Sequence, residues 1–441
     1  MRISSTMMSN NYLKQLNGTY EQYSKLMEQA DGSKLHRASD NAVGYSKYLR
    51  YQNNQISNEQ YQSNVSTASS WMKNADAALV NVTDLLQTFK AKVEQGANST
   101  NNESDMKDIA KELLANVQEQ VADLNTQIGD RFLFAGQKDT TMPFEISADK
   151  MSRGDTFTLD EKQSAFFSGA TGWGDENTTV KQMLKLNGDD GNSYYMNVNT
   201  GDVYTEDFVK NGYKNEDKFD PAKQRVGNIT AITDPPTAYK VSDHFDQYGV
   251  IKTDAGVGTN AKYNVTVDGK QVNLTLSTTK QYIVKYAGDD KYISMVKKNG
   301  GVDKATDTVN VTGQDINGCD LFDVGNDPHS GAARLNQLLY TVAKLDGADY
   351  KWAGEQGMTI ADSAHATVLG AQTKMAARQQ AYNSSSSMLV TQNESITSDI
   401  SDVSSTDVAQ LATKLMEYQT IYSLSLSVGS KILPGTLADY L

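Results

Sequence analysis

Apolar positions recur along this chain with two different periods, and the change of period divides it. Near the N-terminus Leu13, Leu16, Tyr20, Tyr23, Met27 and Ala30 are spaced 3, 4, 3, 4 and 3, the a/d seam of a helix facing one partner. Asp31-Gly32-Ser33 interrupts it. Val65, Ala68, Met72, Ala75, Leu79, Val82, Leu86, Phe89 and Val93 then follow without a slip. Extended back to about Ala42, this pattern predicts a helix of ~80 Å at 1.5 Å per residue. Ala110, Leu114, Val117, Val121, Leu124 and Ile128 predict a third helix, with Ser104 as its expected N-cap.

The C-terminal part mirrors this. Leu335, Leu338, Val342 and Leu345 mark a short helix. Thr359 to Asp362 reads as a capping-box start, followed by the seam Ala364, Val368, Ala371, Met375, Tyr382, Leu389, Ile396 and Val403. Polar Arg378, Ser385, Gln392 and Asp399 hold the alternate seam positions, where such residues fix register at some cost in stability. A second start, Ser404 to Asp407, precedes Val408, Leu411, Leu415, Tyr418 and Tyr422. Residues 423–428 (Ser-Leu-Ser-Leu-Ser-Val) alternate with period 2 and fit a strand, while the flanking seam is helical.

The middle changes period. Tyr263-Asn264-Val265-Thr266-Val267 alternates, Asp268-Gly269 supplies the two positive-φ positions of a type I′ turn, and Val272, Leu274 and Leu276 alternate after it, a hairpin signal. Ile283 with Tyr282, Val284 and Tyr286 predicts another strand, and Tyr194 to Val198 before Thr200-Gly201 a third. The expected fold class is mainly α with a β-rich insertion, or two. Long N- and C-terminal helices form a coiled-coil or helical-bundle rod, and the centre a β-rich outer domain. The two helical arms are expected to pack on each other, since neither stripe is buried otherwise.

Proline sharpens the boundaries. Of six prolines in 441 residues, Pro143, Pro221, Pro235, Pro236 and Pro328 fall within 143–328, and Pro434 is near the end. Proline breaks helix interiors, so the proline-free arms permit long helices, and Pro434 is the expected stop of the last one. The domains expected are residues 1–45 with 404–441 (terminal helical assembly domain), 46–138 with 329–403 (helical bundle rod) and 139–328 (variable β-rich outer domain). The interval 136–330 holds 20 of the 32 glycines and carries 29 acids against 21 bases, so 8 of the net 13 negative charges reside there.

Composition excludes several classes. No run of ~18 apolar residues predicts a transmembrane helix, and Met1 to Asn10 lacks the apolar core of a Sec-type signal peptide. The acidic balance disfavours nucleic acid and anionic membranes as partners. One cysteine, Cys319, allows no intrachain disulfide and is expected to be a small buried hydrophobe. His36, His244, His329 and His365 are scattered without metal spacing. Gly256-Val257-Gly258 lacks the third glycine of a dinucleotide fingerprint, and no phosphate loop or Gly-x-Ser-x-Gly elbow occurs. Asp189-Asp190 and Asp289-Asp290 sit beside glycine and read as solvated turns, with a weak calcium loop as the alternative. Asn-x-Ser/Thr triplets such as Asn264-Val265-Thr266 follow from composition. No catalytic, cofactor or metal site is expected, and no enzyme.

The terminal seams each span about 28 residues, roughly 42 Å of helix. Read alone, each belongs to an ordinary intramolecular helix pair. They lie at the chain's extremes, however, and a lone pair of that size is marginal. Ordering of the ends by stacking of several chains is the expectation. The residues expected to carry subunit assembly are Leu13, Leu16, Tyr20, Tyr23, Met27, Val408, Leu411, Leu415, Tyr418 and Tyr422. Tyrosine suits a partly wet seam, since its ring packs while its hydroxyl finds water or a carbonyl.

Several segments resemble a known family. Met1-Arg2-Ile3-Ser4 with Met7, Lys34-Leu35-His36-Arg37-Ala38-Ser39-Asp40-Asn41, and Arg131-Phe132-Leu133-Phe134-Ala135-Gly136 with Pro143-Phe144 are similar to the flagellin superfamily. Tyr418-Gln419, Ser430-Lys431-Ile432 and Leu437-Ala438-Asp439-Tyr440-Leu441 add to this at the other end. The resemblance covers residues 1–145 and 330–441. Phe132 to Gly136 stands where flagellin itself has an Asn-rich Phe-Asn-Gly segment, which favours the hook-associated junction branch. Family members often carry prolines around Ser39-Asp40-Asn41-Ala42; this chain has Ala38 and Ala42, so its helix start there is less marked.

The resemblance implies no catalysis. It implies an axial adaptor between hook and filament, secreted to the bacterial flagellum through the flagellar type III channel without a cleaved signal. It implies as partners the other junction protein on the hook side, flagellin on the filament side, further copies in a ring, and a cytoplasmic export chaperone on the C-terminal helix. The rival readings are a flagellin filament subunit, and a secreted adhesin in which the β middle is active and the helices form a stalk. An adhesin binds its ligand without its termini, and a filament subunit is abundant.

Overall fold

The computed structural model describes residues 5–39, 41–169, 180–214, 221–231, 237–238, 240–252, 263–294, 308–323 and 330–432. Met1 to Ser4, Asp40, Gly256 to Gly258, His329 and the Pro434 stop with the tail after it lie outside the described residues. The chain divides into two compact units, residues 1–66 with 384–441 and residues 67–383.

The architecture is mainly α with a β-rich middle. The first arm holds α1 (Ser5–Glu28), α2 (Ala42–Gly96) and α3 (Glu103–Leu124), then a small ladder of β1 (Gln127–Ile128) and β2 (Arg131–Phe132). The middle has strands β3 (Phe144–Ile146), β4 (Met151–Gly154), β5 (Thr156–Thr158), β6 (Gln182–Gly188), β7 (Ser193–Met196), β8 (Asp202–Thr205), β9 (Gly227–Asn228), β10 (Thr230–Ala231), β11 (Thr237–Ala238), β12 (Tyr263–Val267), β13 (Lys270–Leu276), β14 (Thr278–Gln281) and β15 (Val284–Tyr286). Short helices α4 (Glu161–Gly169), α5 (Glu206–Lys210), α6 (Pro221–Gln224), α7 (Val241–His244) and α8 (Gly313–Asn317) lie among them. The second arm holds α9 (Ala333–Asp346), α10 (Tyr350–Trp352), α11 (Met358–Ser404) and α12 (Val408–Ile432), with a π-helical turn at Ala353–Gly357 before α11.

Heptad spacing translates directly into burial in the 67–383 unit. From Ala68 to Val93 every seam residue of α2 is buried, and Ala364, Val368, Ala371, Met375 and Tyr382 of α11 are buried likewise. Leu113, Val117 and Leu124 of α3 join them, and α3 lies against α9. The two arms therefore pack on each other. Residues 423–428 are helical, inside α12.

Four helix ends differ from their sequence-based expectation. Asn102, not Ser104, caps α3: the Asp105 N–H donates to its side chain at 2.8 Å, and its own N–H donates back to Asp105 at 3.2 Å. The helix stops at Leu124, so Ile128 belongs to β1. Thr359 lies inside a helical run, its hydroxyl donating to the Glu355 carbonyl at 3.0 Å; the cap is Asp349, which accepts from the Trp352 N–H. Ser404 ends α11, and Asp407 caps α12 by accepting from the N–H groups of Ala409 and Gln410. At the unmarked start of α2, Asn41 accepts from the Gly44 N–H at 2.9 Å.

The middle is organised by a seven-stranded sheet, β12-β13-β6-β7-β8-β9 with β5 also on β6. The hairpin turn is as spacing predicts, with Asp268 at φ 49° and Gly269 at φ 77°. Side chains alternate across a strand, and here both faces are covered. Leu184, Leu186, Tyr194, Met196 and Val203 build one apolar cluster with Val272, Leu274 and Phe322. Met183, Tyr195 and Tyr204 build the other with Phe157 and Phe167. Asp189 and Asp190 close turns by accepting from Asn273, Asn192 and Tyr194. Cys319 is exposed, contrary to the buried position expected of it, because it follows the C-cap glycine of α8, Gly318.

Helices and strands of this unit are joined by side-chain amides. Asn125 donates to the Phe144 carbonyl at 2.8 Å and accepts from its N–H at 3.0 Å. Asn336, in α9, accepts from the Val284 N–H at 2.8 Å and donates to its carbonyl at 2.9 Å. Gln356, in the π-helical turn, accepts from the Thr158 N–H at 2.7 Å and donates to its carbonyl at 3.1 Å. Each amide takes the place of one more strand on an open edge.

Candidate assembly surface

In the other unit α1 and α12 lie side by side in opposite directions. Near one end the Tyr12 hydroxyl donates to the Ser425 carbonyl at 2.7 Å. Near the other, the Thr406 N–H donates to the Gly32 carbonyl at 2.9 Å and the Lys34 N–H to the Ser404 carbonyl at 2.7 Å. Gly32 permits this turn, at φ 94°. A Cβ on Gly429 would fall inside the van der Waals envelope of the Tyr12 hydroxyl, so glycine lets this ring seat on α12.

The face between the helices is thin. On α12, Leu411 and Gly429 are buried, while Leu415, Tyr418, Tyr422 and Ser425 are half-buried. On α1, Tyr12, Leu16, Thr19, Tyr23 and Leu26 are half-buried. Six of the ten expected assembly residues are thus in the covered stripe: Leu16, Tyr23, Leu411, Leu415, Tyr418 and Tyr422. The other four are open, with Leu13 42%, Tyr20 56%, Met27 52% and Val408 69% exposed. The Tyr20 ring still lies 5.8 Å from that of Tyr422. Met416, Ile421, Leu424 and Val428 of α12 are open too.

Leu13, Tyr20 and Met27 each follow a covered residue by one position, a rotation of about 100° around the helix. The pair therefore presents a second apolar stripe beside the one it buries. Exposed apolar residues scattered singly are ordinary; Leu13, Tyr20 and Met27 instead recur on one face of α1. Sequence spacing missed Tyr12, Ser425 and Gly429. The signal for the last was an isolated glycine within a helical pattern, which points to close packing.

Farther along the same unit the seam turns polar. Asn58 is buried and donates to Gln392 at 3.3 Å, and Gln62 donates to Asn58 at 2.6 Å. Among the described residues no group of three or more His, Cys, Asp or Glu side chains is gathered as a metal ion would need. No described helix is long and apolar enough to cross a membrane.

Residues 3–139 match the family described as the bacterial flagellin N-terminal helical region. Among curated proteins the chain is 26% identical over 302 residues to a flagellin of Salmonella montevideo, covering 59% of this chain and 58% of that protein. A flagellin of Salmonella moscow matches at the same identity and coverage. The chain thus spans less than two thirds of the length of these relatives. Among solved structures, a protein described as flagellar hook-associated, from Vibrio parahaemolyticus, overlays with a TM-score of 0.41 at 15% identity, over 83% of this chain and 100% of that one. The flagellar junction protein FlgL from Legionella pneumophila overlays at 0.35 and 12%, over 76% and 98%. Overlays this loose carry no weight by themselves. The match over 3–139 falls on the helical arm already described, and over that region the chain is similar to the N-terminal helical region of bacterial flagellins.

Proposed function

We propose that this chain is a non-catalytic structural component of the bacterial flagellum, acting as the junction adaptor between hook and filament. The observation that carries this reading is the half-covered terminal helix pair. Leu13, Tyr20, Met27, Val408 and Leu424 form apolar surface that a neighbouring subunit would bury, and the flagellin match supplies the kind of assembly. On this reading Leu13, Leu16, Tyr20, Tyr23, Met27, Val408, Leu411, Leu415, Tyr418 and Tyr422 carry subunit assembly in a ring. The division into 1–45 with 404–441, 46–138 with 329–403, and 139–328 separates assembling, supporting and outward-facing parts. The partners are the second junction protein, flagellin, and an export chaperone on the C-terminal helix. The destination is the extracellular flagellum, reached by type III export.

The double substitution Leu411→Asp with Leu415→Asp tests the assembly surface. Filament growth is expected to stop while the helices of residues 67–130 stay folded by circular dichroism; normal filaments refute the assignment. The relatives named flagellin favour a second reading, the filament subunit itself. Antibody labelling of intact flagella in the electron microscope separates them. Label confined to the hook–filament boundary is expected, and label along the filament means a filament subunit.

A further inference from the structure

Among the described residues the short strands β3 and β15 pair only with each other. A two-stranded ladder of this size is marginal alone, yet Phe144 and Val284 are wholly buried. Their outward-facing N–H and C=O groups are satisfied by Asn125 on one edge and Asn336 on the other. Beyond Val284, the Tyr248 hydroxyl and the Tyr286 backbone exchange bonds at 3.2 and 3.3 Å. The outer edge of β5 at Thr158 is satisfied by Gln356. Buried backbone groups without partners are strongly disfavoured, so these edges have no dry alternative.

Two of the three amides, Asn336 and Gln356, follow the whole middle region in the chain. We propose that the β-rich middle is not self-sufficient: β3, β15 and β5 complete their folding only once α9 and the π-helical turn before α11 deliver Asn336 and Gln356. The region that looks like a freely replaceable insertion is locked at its base to the second helical arm. A chain made or delivered N-terminus first holds its middle unfinished until residues 333–357 have followed. Grouping of helices and strands of residues 67–383 in one compact unit agrees with this.

Pulse-labelling hydrogen exchange during refolding of the full chain from urea tests the order directly. Peptides containing Phe144–Ile146, Thr156–Thr158 and Val284–Tyr286 are expected to gain protection together with or after those of α9. Protection of these strands before α9 overturns the proposal. Native-state exchange of Asn336→Leu tests the lock. Exchange is expected to rise about tenfold or more in β3 and β15 and to stay unchanged in α2; no change, or an equal rise throughout the unit, overturns it. The refolding measurement needs no variant and decides the question if Asn336→Leu does not fold. Asn336→Asp, which keeps the acceptor for the Val284 N–H, is expected to raise exchange less than Asn336→Leu.

Discussion

The α2 segment 65–93 and the α1 segment 12–27 carry the same heptad rhythm with opposite outcomes. Along α2 every seam position is buried. Along α1 the best-covered apolar residues are half-buried, and Leu13, Tyr20 and Met27 stand open. Spacing tells which face of a helix is apolar; it does not tell how much of that face the same chain covers. Residues 67–383 supply α3, α9 and α11 to their own seam, whereas among the described residues α1 is covered chiefly by α12, whose outer face is also apolar.

The sharpest test truncates one seam residue in each unit. Leu79 is fully buried, and Leu79→Ala is expected to lower stability by about 2–5 kcal/mol, the range for a buried leucine. Leu16→Ala, at a half-covered site, is expected to cost about 1 kcal/mol, in proportion to the smaller area buried. Urea unfolding read by hydrogen exchange within each unit checks both values, and equal losses erase the contrast. Limited proteolysis reads it without mutation: cuts within 5–30 and 408–432 are expected well before any within 65–93.

The next test acts on the terminal pair alone. Gly429→Ala places a methyl against the Tyr12 hydroxyl, and such overpacking costs about 1–3 kcal/mol. Tyr12→Phe deletes the bond to the Ser425 carbonyl and is expected to cost about 1 kcal/mol. Amide protection in α1 is the readout, and α2 protection beyond residue 67 is expected not to move. In combination the two losses should not add, because both act on one contact.

Much of this fold was legible in the sequence. Both long seams, the Asp268-Gly269 turn and the strands around Tyr194 and Val284 follow from period and turn chemistry. The caps were legible only to within a few residues. Asn102 and Ser104, or Ser404 and Asp407, are both good capping types, and only the helical backbone decides which one caps. The covered stripe of α1 was ambiguous for a related reason. Tyr12 and Leu13 are adjacent, as are Leu26 and Met27, so two stripes about 100° apart fit equally well. The amides at Asn125, Asn336 and Gln356 were not legible at all. A buried Asn that satisfies a strand edge has the same local pattern as a solvated one, and only the fold brings Phe144, Val284 and Thr158 to it.

Charge gives the last contrast, and the smallest effect. Residues 67–383 bury ionised groups. The wholly buried Arg153 donates to Asp320 at 2.5 Å, and Asp323 accepts from the N–H groups of Asp320 and Ser330. Burial first, and the neighbouring Asp320 carboxylate second, push Asp323 up to about 6. The unfolded value is about 3.9, so between these limits the folded chain holds a proton that the unfolded chain releases. The stability from this group is therefore full below about 4 and is lost as pH rises through about 6, by at most about 1.4 kcal/mol per pH unit. A carbon-13 titration of the Asp323 carboxyl is expected to show a midpoint near 6. Exchange in the 67–383 unit should quicken from pH 5 to pH 7 beyond the intrinsic rate, while the α1–α12 pair shows only the intrinsic change. A midpoint near 4, or the same excess in both units, removes buried charge as a difference between them.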